Sequence, residues 1–313
     1  MPLSESPSQW VEIHCLLCGS GGYHIVHDNL DMSAGPRLYK ITDHSPRPEV
    51  RMVCCDHCGF IYLNPRQTPD AYIDNYVTMV DEKYLAEEKG RRASARRILK
   101  LLNQQHKSKG RLLDVGCAAG FLLDEARQDG WEVHGVDLSA WAVDYARQQL
   151  GLTDVVQGDL DKARFSAASF DAIVMTDVIE HVIDPQGLFE QIRGLLKDDG
   201  LFCCTTPDVG SLISRLQGTK WWNIKPSHLY YFDQKSLGQL FQQTGFALIK
   251  TRAQLKTFSL RYWTSNMAAF KPALGWVDHF VQQHPKLASL SMTIALGDQI
   301  EMFGRKSPGR ADA

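Results

Sequence analysis

Short apolar runs alternate with helix-periodic stretches along the middle of this chain. Leu112-Leu113-Asp114-Val115 is apolar, short and bounded by turn residues, as a strand covered on both faces would be. Over residues 121–128, Leu122, Leu123 and Ala126 fall on one side of a helix that Gly130 stops. A second strand, 132–136, ends at Asp137. The rhythm then repeats: a helix over 141–149, strands at 155–156 and 170–175, a helix over 187–196, and a strand over 201–206 stopped by Pro207. Asp233 caps a helix over 234–244, Gly245 ends it, and a strand over 246–251 follows. Strands alternating with helices predict an α/β fold on a mostly parallel sheet.

The candidate chemistry sits where the first strand turns into its helix. Gly116 and Gly120 bracket the turn, and a carboxylate, Asp137, follows about 20 residues later. This arrangement predicts a nucleoside site at the carboxyl ends of the strands. The turn's backbone amides would face the ligand and Asp137 would accept both ribose hydroxyls. A pyrophosphate-binding turn uses G-x-G-x-x-G, whereas here the order is Gly116-Cys117-Ala118-Ala119-Gly120. Ala118 disfavours the close approach a pyrophosphate needs. A nicotinamide-linked oxidoreductase is therefore the rival reading rather than the leading one.

The run Asp114-Val115-Gly116-Cys117-Ala118-Ala119-Gly120 resembles motif I of class I S-adenosylmethionine (SAM) methyltransferases, whose usual form is D/E-x-G-x-G-x-G; Ala118 departs from it at the middle glycine. The resemblance continues in order: Asp137 matches the ribose-binding acid, 157–160 the segment flanking adenine, 170–174 the fourth strand and 196–206 the fifth. It implies a seven-stranded, mostly parallel Rossmann-like sheet. Residues 293–306, with a bend at Gly297, would be the seventh strand, antiparallel beside the sixth. The implied cofactor is SAM, held by Asp114, Gly116, Cys117, Ala118, Gly120, Phe121, Asp137, Leu138, Asp159, Leu160, Thr176 and Asp177. Thr176 to Pro185, TDVIEHVIDP, resembles the post-strand motif of small-molecule O- and C-methyltransferases, including those of ubiquinone biosynthesis. Within it His181 is a candidate general base, a histidine being suited to take a proton near neutral pH. The alternative is a wall residue. A loop over 220–232 gathers aromatics, a lysine and His228, and reads as a substrate wall or a buried aromatic cluster. In the resembling families the histidine of such a loop faces the acceptor, which makes His228 the second base candidate.

Ahead of this domain lie two copies of C-x-x-C-G, at Cys15-Leu16-Leu17-Cys18-Gly19 and Cys55-Asp56-His57-Cys58-Gly59. Each spacing lets two thiolates grip one ion from a single turn, and two such knuckles predict a structural zinc held by Cys15, Cys18, Cys55 and Cys58. Cys54 has the wrong spacing. The alternative is metal-free cysteines in a small core. Strand-like stretches at 23–26, 38–41 and 50–53 complete a zinc ribbon over 1–66. A cysteine knuckle before such a domain resembles sugar C-methyltransferases acting on nucleotide-linked deoxysugars, which tilts the expected acceptor toward a sugar or glycan precursor. A quinone or phenol acceptor, or RNA, stays open.

Residues 67–110 read as a helical linker: a short helix from Pro69 to Tyr76, then a long one over 82–105. Arg91, Arg92, Arg96, Arg97 and Lys100 would form a solvated face or hold a phosphorylated substrate. Tyr76 and Tyr84 are lid candidates. The catalytic domain spans 111–306, with a helical insertion over 259–290 rich in large apolar groups and a disordered tail over 307–313. That insertion is expected to pack on the core or a dimer partner, or less readily to touch a hydrophobic acceptor or membrane surface.

Composition narrows the partners. The chain has 313 residues, 44% hydrophobic and 22% charged, with a net charge of −2 and eight cysteines. No strong field draws it to nucleic acid. No signal peptide and no apolar run long enough to span a bilayer are expected, so the expectation is a cytoplasmic enzyme acting on a small-molecule acceptor. Oligomeric state is open.

Overall fold

The computed structural model describes residues 10–32, 48–78, 80–106, 109–294 and 296–307. The expected strand at 38–41 and the tail from 308 lie outside them. The N-terminal part contributes β1 (Trp10–Val11), β2 (Tyr23–Asp28), β3 (Arg51–Cys55), β4 (Ile61–Leu63) and β5 (Arg66–Gln67). β1 pairs antiparallel with β5, and β2, β3 and β4 form an antiparallel sheet. Helices α1 (Pro69–Val77), α2 (Glu82–Ala86) and α3 (Glu88–Gln105) follow. The single helix expected over 82–105 is thus broken at Glu87. The break has its own partners: the Glu87 carboxylate accepts from Ser259 N and Oγ at 2.7 and 2.6 Å, and Arg91 Nε donates to Tyr84 O at 3.2 Å.

The central part alternates, with α6 and α8 added to the expected elements: β6 (Arg111–Val115), α4 (Phe121–Gln128), β7 (Glu132–Asp137), α5 (Ala140–Leu150), β8 (Val155–Gln157), α6 (Leu160–Ala163), β9 (Phe170–Thr176), α7 (Pro185–Leu195), β10 (Leu196–Pro207) and α8 (Leu212–Gln217). After it come β11 (Tyr230–Tyr231), α9 (Gln234–Gln243), β12 (Phe246–Ala253), β13 (Lys256–Ser259), α10 (Leu260–Phe270), α11 (Gly275–Gln282), α12 (Pro285–Ala288), β14 (Ser291–Ile294) and β15 (Gln299–Lys306). The main sheet has seven strands in the order β12-β15-β10-β9-β6-β7-β8. Only β15 runs against its neighbours, pairing antiparallel with both β10 and β12. This is the mixed, mostly parallel sheet of methyltransferases.

Both faces of the sheet are covered, which is why its strands read as continuous apolar runs. On one side Leu112, Leu123, Ala126 and Leu102 from α3 form a buried layer. On the other, Phe189, Phe202, Phe241 and Phe246 are fully buried, with Phe189 edge-on to Phe202 at 5.0 Å and to Phe241 at 5.1 Å. Burying each ring contributes about 1.5–3 kcal/mol, more than any exposed ion pair on the surface.

Three expectations needed correction. The seventh strand is not one strand over 293–306: the chain turns at Gly297 (φ 71°), so β14 pairs with β13 in a separate ribbon and only β15 enters the sheet. The insertion therefore begins and ends in strands, with α10, α11 and α12 between them. The loop over 220–232 is not a free wall: β11 adds to the cysteine sheet, Tyr230 opposite Tyr62 and Tyr231 opposite Ile61. Its tryptophans close on Asp298, whose Oδ2 accepts from Trp222 Nε1 at 2.9 Å, Asn223 Nδ2 at 3.2 Å and Trp221 Nε1 at 3.4 Å. The α3 arginines, finally, are mostly neither solvated nor free. Arg92 bonds Glu88 at 2.7 Å, Asp124 at 2.7 Å and Glu125 at 3.2 Å, and Arg97 donates to the Thr257 and Thr293 hydroxyls. α3 comes this close to β13 because residue 90 has no side chain: a Cβ on Gly90 would lie 2.0 Å from Thr257 O.

Candidate active site

A cavity of about 580 Å³ opens at the carboxyl ends of β6, β7, β8 and β9. Eleven of the twelve residues expected to hold the cofactor line it: Asp114, Gly116, Cys117, Ala118, Phe121, Asp137, Leu138, Asp159, Leu160, Thr176 and Asp177. Gly120 does not line it. Gly120 turns the chain behind the wall (φ 81°), where a Cβ would meet Leu152 at 2.6 Å. Gly116 also sits in the left-handed region (φ 74°), and a Cβ there would strike Val178 at 2.4 Å. Ala118 takes the left-handed conformation too (φ 45°), at the position where motif I has glycine, at a cost of about 1–2 kcal/mol.

The expectation that the turn's amides face the ligand fails for four of the five. Gly116 N and Cys117 N donate to Val136 O at 2.8 and 3.0 Å, Gly120 N donates to Cys117 O at 2.9 Å, and Ala118 N donates to Asp137 Oδ2 at 2.8 Å. With these four donors spent internally, the turn offers proximity rather than an anion cradle. Asp137 is fixed from both sides, since Oδ1 accepts from Ser139 N at 2.8 Å. Burial pushes its carboxyl up, against the pull of those two amides. Asp159 caps α6 by accepting from Lys162 N at 2.9 Å.

Asp114 is 2% exposed, and its Oδ1 has no hydrogen-bond partner among the described residues. Burial, and then the neighbouring Asp137, push its carboxyl up to about 8. A buried acceptor with no donor is costly, about 1–3 kcal/mol, unless a ligand supplies one. Asp177 contrasts with it. Burial works against its charge, but Lys256 Nζ sits on its carboxylate, and Lys256, Arg91 and His181 together hold it below the usual carboxylate range. Its backbone is left-handed (φ 54°), with Asp177 N donating to Thr205 O at 3.0 Å.

His181 lines the cavity next to Asp177, on a 3₁₀ turn over Ile179–His181. Its Nδ1 lies 2.6 Å from Ser227 O and 2.5 Å from Tyr76 Oη. A carbonyl can only accept, so Nδ1 carries the proton and Nε2 keeps its lone pair; this tautomer is assigned from the network. Burial pulls the imidazole down to about 4, so it is neutral near pH 7. His228 stands behind it, edge-on at 4.7 Å between ring centroids, and neither it nor the rest of the 220–232 segment lines the cavity. Glu180 completes the group: it accepts from Thr206 Oγ1 at 2.9 Å, and burial, then Asp177, push it up to about 8. Tyr72 Oη donates to the same Ser227 carbonyl at 2.7 Å, so α1 and His181 share one anchor.

Sequence reasoning missed Gln254, Lys256 and Phe258 as lining residues, and named Arg91 only within a basic patch. Arg91 lies 3.5 Å above the Tyr84 ring, and Tyr84 stacks on Phe121 at 6.0 Å. No local signal marks these residues. They reach the cavity through the break at Glu87 and through β13, both of which depend on contacts across more than 150 residues.

Away from the cavity, Cys15, Cys18, Cys55 and Cys58 place their sulfurs within 4.8 Å of one another, with Cys15–Cys58 and Cys18–Cys55 at 3.5 Å. Backbone amides of Leu17 and Cys18 point at the Cys15 sulfur, and those of His57 and Cys58 at the Cys55 sulfur. Tetrahedral zinc with bonds of about 2.3 Å separates sulfurs by roughly 3.8 Å, so the cluster fits such an ion. Cys54 is outside it, as the spacing implied.

The strand order, the glycine turn and the paired acids at the carboxyl edge define the class I SAM-dependent methyltransferase architecture. A family model described as a methyltransferase domain matches residues 86–251, and the chain belongs to that family. Its curated relatives include a ubiquinone biosynthesis O-methyltransferase of Cereibacter sphaeroides, 33% identical over 127 residues, 38% of this chain and 51% of that one. A second, from another strain, is 27% identical over 184 residues, 55% of this chain and 74% of that one. A ubiquinone biosynthesis O-methyltransferase of Coxiella burnetii is 36% identical over 108 residues, 33% of this chain and 46% of that one. The chain thus spans about half the length of the first of these relatives. Among solved structures, a SAM-dependent methyltransferase of Thermotoga maritima described as a possible histamine N-methyltransferase superimposes with a TM-score of 0.48 at 17% identity, covering 72% of this chain and 94% of that one. Among the described residues, no helix is long and apolar enough to cross a membrane.

Proposed function

We propose that the protein transfers a methyl group from SAM to a small-molecule acceptor, with His181 as the general base. The observation that carries the cofactor assignment is the double anchoring of Asp137 beside a turn with four of its five amides already spent. A carboxylate held by Ala118 N and Ser139 N presents its remaining lone pairs to a ribose diol. Four of the five amides from Gly116 to Gly120 are already taken, which leaves little for a pyrophosphate and counts against the nicotinamide reading. The unpartnered Asp114 Oδ1 fits the ammonium of the cofactor's amino-acid end. SAM supplies, when bound, a methyl group on a sulfonium that is already a good leaving group. The chain's contribution is then positioning and proton removal. His181 Nε2 takes the acceptor's proton while Ser227 O holds the Nδ1 proton in place. His228 steadies the imidazole from behind rather than touching the acceptor. Thr176 and Asp177 shape the wall between cofactor and acceptor.

For the acceptor, the cysteine module favours a sugar or glycan precursor. The second reading is a quinone or phenol, supported by the activity named for the relatives and by the aromatic wall of Tyr84 and Phe258. The four cysteines hold a structural zinc in this proposal, closed by four thiolates and remote from the chemistry.

Calorimetric titration with S-adenosylhomocysteine tests the cofactor assignment. Micromolar binding is expected. No heat with it, together with saturable binding of a nicotinamide dinucleotide, would sink the proposal. Metal analysis of the same protein is expected to return one zinc per chain, with the melting temperature falling on chelation. A metal-free preparation of unchanged melting temperature would remove the zinc.

A further inference from the structure

Outside the cavity, the most unusual surface is the insertion between β13 and β14. On α11 the exposed residues include Trp276, His279 and Phe280, and Gln283 and His284 just past its end continue the exposed stripe. Trp276 is 71% exposed and Phe280 52%, whereas Val281 on the opposite face is buried. Among the described residues, the only ring against Phe280 is that of His284 from the same helical stretch, at 4.4 Å. Two large aromatics side by side on one helix leave apolar area open to water.

Charge indicates what covers that area. Residues 255–292 carry Lys256, Arg261, Lys271 and Lys286 against one acid, Asp278, in a chain whose net charge is −2. Asp278 is turned inward, accepting from Thr264, Ser265 and Gln282 at 2.9, 2.9 and 3.2 Å. Lys256 is spent on Asp177. Arg261 acts on Asp278, whereas Lys271 and Lys286, both exposed, stand just before and just after α11 in the chain. A second copy meeting this face across a two-fold axis would bring like charges together, which opposes a dimer here. Aromatics projecting from a convex helix with cations at its flanks suit a bilayer interface instead.

We infer that α11 and its flanks dock on the surface of an anionic lipid bilayer, Trp276 and Phe280 entering the headgroup boundary and Lys271 and Lys286 pairing with lipid phosphates. The docked element is continuous with the cavity, since β13 of the same insertion lines it through Lys256, Thr257 and Phe258. The inference does not rest on the methyl-transfer reading.

The test is co-sedimentation of the full chain with large unilamellar vesicles, either pure phosphatidylcholine or an equimolar mixture with phosphatidylglycerol. Binding is expected to the mixed vesicles only, with loss at 0.5 M salt. Trp276→Ala with Phe280→Ala, and separately Lys271→Glu with Lys286→Glu, are each expected to weaken it about tenfold or more, with circular dichroism melting unchanged. Three results would overturn the inference. They are no binding to mixed vesicles, binding equal in wild type and both variants, or a wild-type dimer in light scattering that the aromatic variant dissociates.

Discussion

The two ends of the cavity are built in opposite ways. The end carrying Asp114, Ala118 and Asp137 comes from one contiguous stretch, β6 through β7, and its shape is fixed by backbone hydrogen bonds. The end carrying His181 is assembled from pieces far apart in the chain: Tyr76 of α1, the Ser227 carbonyl, Arg91 of α3 and Lys256 of β13. The first is a property of the main chain and tolerates little change. The second is a property of side chains brought together by tertiary packing, so it can be remade without disturbing the sheet. One fold can thus keep a cofactor while changing its acceptor.

If that division is real, the largest effect comes from the side-chain end. His181→Ala is expected to lower turnover about 10²–10⁴-fold with an acceptor found by screening, while S-adenosylhomocysteine affinity stays within a few-fold of wild type. Equal losses in both would merge the two ends. Next in size is Asp137→Ala, expected to weaken S-adenosylhomocysteine about 100-fold in calorimetry, because it removes a charged acceptor and frees the Ala118 and Ser139 amides together. Retained affinity would mean that the backbone alone holds the nucleoside.

The last effect concerns stability rather than binding or turnover. Asp114 has its carboxyl raised to about 8 in the folded chain, against an ordinary value near 3.8. The folded state then binds more protons than the unfolded one between those values. Its contribution is complete below about pH 4 and is lost as pH rises through about 8, at up to about 1.4 kcal/mol per pH unit. Asp114→Asn is expected to flatten that slope and raise the melting temperature at pH 8. An unchanged slope in thermal melts from pH 5 to 8 would show that Asp114 is charged without ligand.

How far the sequence could be read follows the same division. Most elements from β6 to β12 were legible because each is specified locally: apolar runs for strands, Asp233 as a cap, Gly130 and Gly245 as stops. The ordered acids led to eleven lining positions. What escaped depends on distant partners. The break at Glu87 exists because Ser259 takes its carboxylate, β11 exists because β4 offers an edge, and Asp298 gathers the tryptophans that looked like a substrate wall. The separation of β14 from β15 was half visible, since Gly297 marked a bend but not that β13 would claim the residues before it.

A run of backbone bonds joins the cysteine module to the carbonyl that anchors His181, the proposed base. Leu63 N, on β4, donates to Leu229 O at 2.9 Å; Leu229 N donates to Glu180 O at 2.7 Å; and two residues before Leu229, Ser227 O holds His181. Under the zinc proposal, metal scarcity would therefore act as a brake on the enzyme. A cell short of zinc would lose active molecules as well as stable ones, although the ion comes nowhere near the acceptor.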